Sequence, residues 1–457
     1  MNLAFDGKVK MTATNGQHLK IASKRSRLER VYVILSGDDR YDRACASIPD
    51  SECSALPKNY VMNVLNGAAS KLAEQVASAK LVLPWLLSAI GAPSTYVGLL
   101  LPLRQAGTLL PQLAISGYIR SFPIRKWFWV GSALVQVAAL LAILAAALIL
   151  PPPTASLAIV GCLVIFSVAR GVGSVAFQDV TGKTIPKGKR GKMLAARGMI
   201  GGVLTIFVGL LLNGFFGTST DVQPVLILIL GGAILWFMAA MTFAAVKEAP
   251  GAVAGGRNML KESIAGWHLL RREGWFLRFL LVRSSLLSVE LAGPFYVLYV
   301  RDMFPDQAGM LGLIVIATGL AAAFSSPFWG RFADLSSKKV LFYGGLMGST
   351  AGLAALAMGY LPPSLQSPYL LAVVFVLLGI SEAGVLLGRK TYLIDRVDSK
   401  ARPTYVAFAN SAIGLVALVF GALGMVAHIF GVAWLIGTLV LLAVVGGLLA
   451  YSLPDAS

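Results

Sequence analysis

The sequence predicts an all-α membrane protein whose twelve transmembrane helices form two pseudo-symmetric six-helix bundles. The first observation is composition: of 457 residues, 57% are hydrophobic and only 13% are charged, against about 25% charged in typical soluble domains. The second is a succession of twelve apolar runs, each near the roughly 20 residues that a spanning helix needs. The third is an internal repeat that relates the first six runs to the last six.

The apolar runs divide the chain into four parts. We expect a polar cytoplasmic extension over 1–60, a first bundle over 61–246, a cytoplasmic linker with an amphipathic helix over 247–275 and a second bundle over 276–457. The predicted spans are 62–90, 95–118, 127–149, 154–178, 193–216, 222–246, 276–300, 307–330, 339–361, 367–389, 402–427 and 431–453. Within the extension, Lys24 to Ser36 is either a solvated tail or a basic amphipathic helix on anionic lipid.

Basic residues predict the orientation of these spans. Alternate loops hold 21 Lys and Arg residues, with Arg389 and Lys390 counted after the tenth span, and the loops between them hold only Arg301. Cytoplasmic loops carry such an excess of Lys and Arg, so we expect both termini to be cytoplasmic. We also expect the protein to be a monomer and to lie in a cell inner (plasma) membrane. The lipid bilayer therefore explains the net charge of +18 better than a nucleic-acid partner does.

The internal repeat has a nearly constant offset. Gly117, Arg125 and Lys126 precede Gly330, Lys338 and Lys339 by 213 residues each. Gly202 and Gly209 precede Gly414 and Gly421 by 212, and SAKLVLPW at 78–85 resembles SVELAGPF at 288–295 at an offset of 210. Two copies of one six-helix unit explain this spacing, as in transporters with internal repeats.

One charged turn between two apolar runs carries a family resemblance. SPFWGRFADLSSKKVL at 326–341 contains Gly330, Arg331, Asp334, Lys338 and Lys339, and it resembles the signature loop of the major facilitator superfamily of secondary transporters. The resemblance implies a conformational latch in which the Asp engages the positive end of a neighbouring helix, while Arg and Lys bond nearby carboxylates and carbonyls.

The first copy of this loop is incomplete. Gly117, Arg125 and Lys126 are present, but Ser121 stands where the second copy has Asp334. We therefore expect the second half to hold most of the latch, with ordinary positive-inside anchoring as the alternative for the basic residues. Arg190 followed by Gly also resembles the family's turn between helices four and five.

Ionisable residues inside the spans are the candidates for substrate or coupling sites: Glu74, Lys80, Arg104, Arg170, Glu290 and Glu382. Each costs about 2.5–3.5 kcal/mol at a helix centre on insertion scales. The repeat aligns Lys80 with Glu290 and Arg170 with Glu382. The resemblance implies that helices one, four, seven and ten line a central cavity, so these four residues should contact substrate or form ion pairs that break and reform. A static buried ion pair is the alternative.

The resemblance implies secondary active or facilitative transport of a small polar solute by alternating access, without a cofactor or metal. Excess basic groups in the spans favour an anionic or carboxylate-bearing solute. The acids Glu74, Glu290 and Glu382 can carry H+ in a symporter, whereas a facilitator needs none. A non-transporting scaffold, or a protein that delivers a pigment or lipid, is the alternative from another class. Drug efflux is less favoured, because the fifth span lacks the proline of the drug/proton antiporter pattern.

Enzyme chemistry is not expected. TGKT at 181–184 is only a partial P-loop, because Phe177 replaces its first glycine. Three histidines cannot readily assemble a catalytic constellation, and Cys45, Cys53 and Cys162 are too few and scattered for a disulfide framework.

Overall fold

A computed structural model of the chain describes residues 27–36, 55–186, 189–216, 222–250, 267–304, 309–362, 366–397 and 402–455. These ranges are almost entirely helical and contain no strand, which confirms the all-α prediction. The helices are α1 Arg27–Ser36, α2 Leu56–Val76, α3 Val82–Ala89, α4 Ser94–Leu109, α5 Pro111–Arg120, α6 Lys126–Ile149, α7 Pro152–Thr184, α8 Arg190–Phe216, α9 Gln223–Ala244, α10 Gly274–Leu291, α11 Gly293–Met303, α12 Gly309–Leu335, α13 Ser337–Met358, α14 Pro368–Arg396, α15 Arg402–Phe420, α16 Leu423–Phe430 and α17 Val432–Tyr451.

Eight stretches in the described part are long and apolar enough to cross a membrane. Six are α6, α7, α9, α13, α14 and α17; the others are a section of α8 and the α15–α16 pair. They coincide with the third to sixth and ninth to twelfth predicted spans. The first, second and seventh predicted spans each consist of two shorter helices, and the apolar section of α12, Met310–Ala321, is short. A multi-pass membrane fold is confirmed, while twelve crossings stay a prediction.

Two helix breaks occur at matching places in the two halves, α2–α9 and α10–α17. One separates α2 from α3 at residues 77–81, and the other separates α10 from α11 at Ala292. Pro84 and Pro294 follow these breaks, 210 residues apart. A proline donates no N–H and its ring clashes with the carbonyl four residues earlier. Those earlier residues are Lys80 and Glu290, so both breaks fall at ionisable side chains.

Glycines allow the two halves to pack closely. α8 lies against α12, and α4 lies against α15 and α16. A Cβ atom on Gly209 would lie 2.7 Å from Ile316, and one on Gly98 would lie 2.2 Å from the Cα atom of Gly424. Gly209 lies in the fifth predicted span, and small residues of this kind let helices approach closely.

The two ends of the bundle differ. We call the end at which α2 begins and α17 ends the terminal end, and the opposite end the far end. At the far end the Nη1 atom of Arg301 donates to the Trp85 carbonyl at 3.0 Å, and α3 and α4 contact α11. Together with the Gly98–Gly424 approach, these contacts close the far end between the halves.

The N-terminal helix α1 packs on the terminal end of the first half. Tyr32 is fully buried, and its ring meets that of Tyr60 edge-on at 5.1 Å. Its hydroxyl accepts a hydrogen bond from the Lys189 ammonium at 2.5 Å. Residues 27–36 therefore pack on the first half through Tyr32, while Leu28, Val31 and Ile34 of the same helix are exposed. A helix that lies on anionic lipid stays a prediction. The rest of the predicted extension before residue 55 lies outside the described residues.

Only parts of the predicted linker are described. Lys247 and Glu248 follow α9 directly, residues 251–266 lie outside the described ranges, and 267–272 form a short helical segment. Leu270 is half-buried against the second half, whereas Trp267 is exposed.

Candidate functional site

The six ionisable residues predicted as site candidates lie among the helices that face the middle of the bundle. They occupy α2 (Glu74), the α2–α3 break (Lys80), α4 (Arg104), α7 (Arg170), α10 (Glu290) and α14 (Glu382). Every one of them is buried or half-buried. Five of the six belong to three ion pairs, and Arg104 belongs to none of them.

Lys80 forms an ion pair with Glu382 and thereby joins the two halves. Its aliphatic stem crosses the start of α11, where a Cβ atom on Gly293 would lie 2.3 Å from Lys80 Cγ. The absence of a side chain at Gly293 therefore gives Lys80 its path to α14. The repeat aligned Lys80 with Glu290, but the structure places its charge against Glu382 instead.

Glu290 is the most buried of the three acids, with 4% of its side chain exposed. Its Oε1 atom accepts from Arg389 at 2.6 Å, and its Oε2 atom accepts from Gln105 of the other half at 3.1 Å. Arg389 was predicted to lie in a loop, and this is wrong, because α14 continues to Arg396. One signal was available: Arg389 follows Glu382 by two helical turns, which places both side chains on one face of α14.

Glu74 pairs with Arg170 of α7 and lies 3.4 Å from the ammonium of Lys71. Arg104 lies within electrostatic reach of Glu74, Arg170 and Glu382. Among the described side chains, it forms no hydrogen bond or ion pair.

Two further arginines occupy equivalent helix pairs in the two halves. Arg197 of α8 donates to Asn66 of α2 at 3.2 Å and lies over the Phe177 ring at 4.2 Å. Arg283 of α10 donates to Asn410 of α15 at 3.3 Å. Each arginine is 8% exposed and has a neutral amide as its hydrogen-bond partner. The two halves thus use the same arginine–asparagine contact between equivalent helices. In the first half the arginine lies on α8 and the asparagine on α2, whereas in the second half the arginine lies on α10, the equivalent of α2.

The middle of the bundle has an excess of positive charge. Six buried or half-buried basic groups within the described part of the chain face three carboxylates there: Lys80, Arg104, Arg170, Arg197, Arg283 and Arg389 against Glu74, Glu290 and Glu382. Buried charges are costly unless they are paired. This surplus therefore favours binding of an anion.

The first copy of the signature loop holds the terminal end of the first half together. The Glu248 carboxylate, fully buried, accepts from the backbone N–H groups of Arg125 and Lys126 at 3.0 and 2.7 Å. It also pairs with Lys183 at 2.7 Å. Arg125 in turn binds Asp179 at 3.1 Å. Glu248 was not among the predicted residues, and it supplies an acid to a loop copy that has Ser121 in place of Asp.

The second copy makes a related but more exposed arrangement. Lys338 pairs with Asp455 at 2.8 Å, and Arg396 donates to the Asp455 carbonyl at 3.1 Å. Arg396 and Lys183 are 213 residues apart, so the repeat extends to these contacts. Lys339 is exposed at the start of α13. The side chains of Arg331 and Asp334 lie outside those that the structure describes, as do the surroundings of Gly117.

The remaining loop candidates have simple surroundings. Arg190 donates to the carbonyls of Ile185 at 2.8 Å and Gly182 at 2.5 Å, which ties the start of α8 to the end of α7. A Cβ atom on Gly330 would meet open space. Cys162 is a half-buried free thiol, and Cys45 and Cys53 lie outside the described residues.

Comparisons with known proteins agree on the architecture. Residues 284–456 match the family model of the Major Facilitator Superfamily. The structure of the nucleoside transporter NupG (D323A mutant) is similar, with a TM-score of 0.68 and 12% identity over 86% of this chain and 99% of that one. The peptide transporter POT in complex with sulfate gives a TM-score of 0.66 and 12% identity, over 91% of this chain and 98% of that one.

A third structure, the inward-open conformation of the xylose transporter XylE from E. coli, gives a TM-score of 0.59 and 14% identity over 88% of this chain and 97% of that one. A comparison with curated protein sequences gave no significant match. At these identities the structures establish the fold and leave the solute open.

Proposed function

We propose that the chain is a membrane transporter of the major facilitator type, which moves a small anionic solute through the cavity between its halves by alternating access. The single observation that carries this proposal is the surplus of basic groups over carboxylates in the middle of the bundle. A carboxylate or similar anion would supply the missing negative charge. Binding energy gained there can shift the balance between states only if the two states bind the solute differently.

The conformation supports a route open toward the terminal end. Three hydrogen bonds join the halves among the described side chains, and all lie at mid-bundle or at the far end: Lys80 to Glu382, Gln105 to Glu290 and Arg301 to the Trp85 carbonyl. With both termini in the cytoplasm, as the basic loops predict, this state faces inward. The solute would then enter the cavity from the cytoplasm, or leave into it.

The ion pairs give the proposal a mechanism. An anion bound near Arg104 lies close to Glu382 as well, so the two negative charges repel and the Lys80–Glu382 pair weakens. Breaking this pair releases α14 from the α2–α3 break, which is a movement that alternating access needs. Protonation of Glu382 would have the same effect, so we propose H+ as the coupling ion.

Transport in proteoliposomes tests the function. Labelled carboxylates, phosphates, sugars and nucleosides are offered to the purified protein with and without a pH gradient. We expect uptake of an anionic solute, and stimulation by the gradient would identify proton coupling. Uptake of neutral solutes alone would contradict the proposal, and no uptake across the panel would favour the non-transporting scaffold.

Glu290→Gln gives a sharper test of the cavity. Glutamine keeps the size of the side chain but removes the charge that balances Arg389, so we expect uptake to be abolished while folded protein is recovered normally. Asp395→Asn, on the exposed face of α14, is the matched control and should transport normally. Unchanged uptake by Glu290→Gln would remove Glu290 from the mechanism.

A further inference from the structure

Two exposed lysines, one from each half, lie between the middle of the bundle and the terminal end. Lys71 precedes Glu74 by one turn on α2, a helix that begins at the terminal end, and 52% of its side chain is exposed. Lys390 follows Glu382 by about two turns on α14, a helix that ends there, and it is also exposed. The two ammonium groups lie within electrostatic reach of each other. We call Lys71 and Lys390 the entrance lysines.

The charges around Lys390 are mostly of its own sign. Arg389, Arg283 and Lys71 lie within its electrostatic reach, and Glu290 is the one carboxylate among these neighbours. Glu290 is already bonded to Arg389 at 2.6 Å. In the described part of the chain, Lys390 itself forms no ion pair. Lys390 therefore adds a positive charge that no neighbouring acid balances.

The other two cations of this group are only partly balanced. The Lys71 ammonium lies 3.4 Å from Glu74, but Glu74 is shared with Arg170. Arg283 is 8% exposed and donates to the neutral amide of Asn410 at 3.3 Å. Its Nε atom has no hydrogen-bond partner among the described groups. A neutral amide cannot compensate a buried charge, so the positive charge extends from the entrance lysines into the second half.

We propose that the entrance lysines bind a solute that carries two negative charges, with one ammonium group supplied by each half. Both lysines are exposed, so the solute binds in the water-filled space between the halves and needs no enclosed pocket. An ammonium group acts as a point charge toward carboxylate and phosphate oxygens. The site therefore selects the charge of the solute. This proposal rests on the proposed function and narrows its solute class to dianions.

Ligand-induced thermal stabilisation of the purified full-length protein in detergent tests the site without requiring transport. The dianionic probes are succinate and inorganic phosphate, at a pH above the second pKa of both. Butyrate carries one charge, and succinamide carries none. Ionic strength is held constant, because salt screens exposed charges. We expect succinate, phosphate or both to raise the unfolding temperature in a saturable way and at lower concentration than butyrate, whereas succinamide has no effect.

Substitution of each entrance lysine tests its contribution. Lys71→Gln and Lys390→Gln should each weaken binding of the dianion by more than about tenfold, because each removes a charge-assisted contact. The double variant should bind succinate no more tightly than butyrate. Lys390→Arg keeps the charge and should retain binding. Arg272→Gln is the matched control, because Arg272 is exposed on the short segment 267–272 beside the second half, and it should bind all probes normally.

The outcomes separate this proposal from transport itself. Dianion binding that depends on both lysines, without uptake of any anion in proteoliposomes, supports the entrance site and refutes the proposed function. Uptake of an anion whose affinity is unchanged in both Lys71→Gln and Lys390→Gln overturns the entrance site while transport stands. Equal binding of the dianions and butyrate, or no binding of either dianion, also overturns it.

Discussion

The Lys80 ammonium and the Glu382 carboxylate meet although they are 302 residues apart in the chain. Their side chains are only 13% and 23% exposed. Each half supplies one charge, so the pair forms only while the halves approach each other at this level. Removing one partner of such a buried pair leaves the other uncompensated, which costs more than replacing both.

Lys80→Met and Glu382→Gln should therefore each lower uptake by more than about tenfold and destabilise the protein by about 1–3 kcal/mol, because each leaves an unsatisfied partner. The double variant should be more stable than the sum of the single effects predicts. Thermal unfolding in detergent and uptake in liposomes measure the two quantities. Strictly additive effects would show that the pair does not act as a unit.

Gly293→Ala should disturb the path of Lys80. The added methyl group would lie 2.3 Å from Lys80 Cγ, so the lysine must move, and overpacking of this kind costs about 1–3 kcal/mol. Gly274→Ala, whose Cβ atom would meet open space in α10, is the control. Uptake and unfolding temperature should fall for Gly293→Ala only; equal behaviour would place Lys80 elsewhere.

Glu248→Ala should destabilise the first half far more than Asp455→Ala destabilises the second. The Glu248 side chain is fully buried and accepts three N–H groups, so its loss should cost about 2–3 kcal/mol. The Asp455 side chain is 67% exposed, and exposed pairs contribute about 0–1 kcal/mol. The free energy of unfolding is measured for each variant in detergent. Similar losses of stability in Glu248→Ala and Asp455→Ala would contradict this asymmetry.

Asp334→Asn should impair transport, since an acid in the signature loop is expected to act as the latch. Ser121→Ala at the matching position of the first copy should matter little, because Ser121 is exposed and its hydroxyl donates only to the nearby Tyr118 carbonyl at 2.6 Å. The measurement is the initial uptake rate of each variant, compared at equal amounts of folded protein. Equal effects at both positions would show that the latch interpretation is wrong.

Helix positions followed from local information in the sequence. The apolar runs placed the helices well, because a membrane span must satisfy its own backbone hydrogen bonds and needs a fixed length of apolar residues. The predicted spans 62–90 and 276–300 did not include the two matching breaks, although Pro84 and Pro294 lie in the repeated segments 78–85 and 288–295. These features depend on neighbouring residues alone.

The pairing of charges did not follow from the repeat. A repeat offset relates positions that are equivalent in the two halves, but Lys80 binds Glu382 and Glu290 binds Arg389. These contacts depend on the length of each helix and on how the two halves are oriented relative to each other. A local sequence pattern contains neither kind of information. Arg389 was missed for the same reason: a basic residue near the end of an apolar run looks like a surface anchor until the length of α14 is known.

Gly98 and Gly424 touch through their backbones at the far end, and this gives a way to choose the conformation of the protein. A bulky residue at either position, such as Gly98→Leu, would act as a wedge that only a state open at the far end can accommodate. Such a variant would keep all the charged residues of the cavity, but its preferred conformation would be open at the far end. Antibodies or inhibitors selected on it would therefore recognise the face that is closed in this structure.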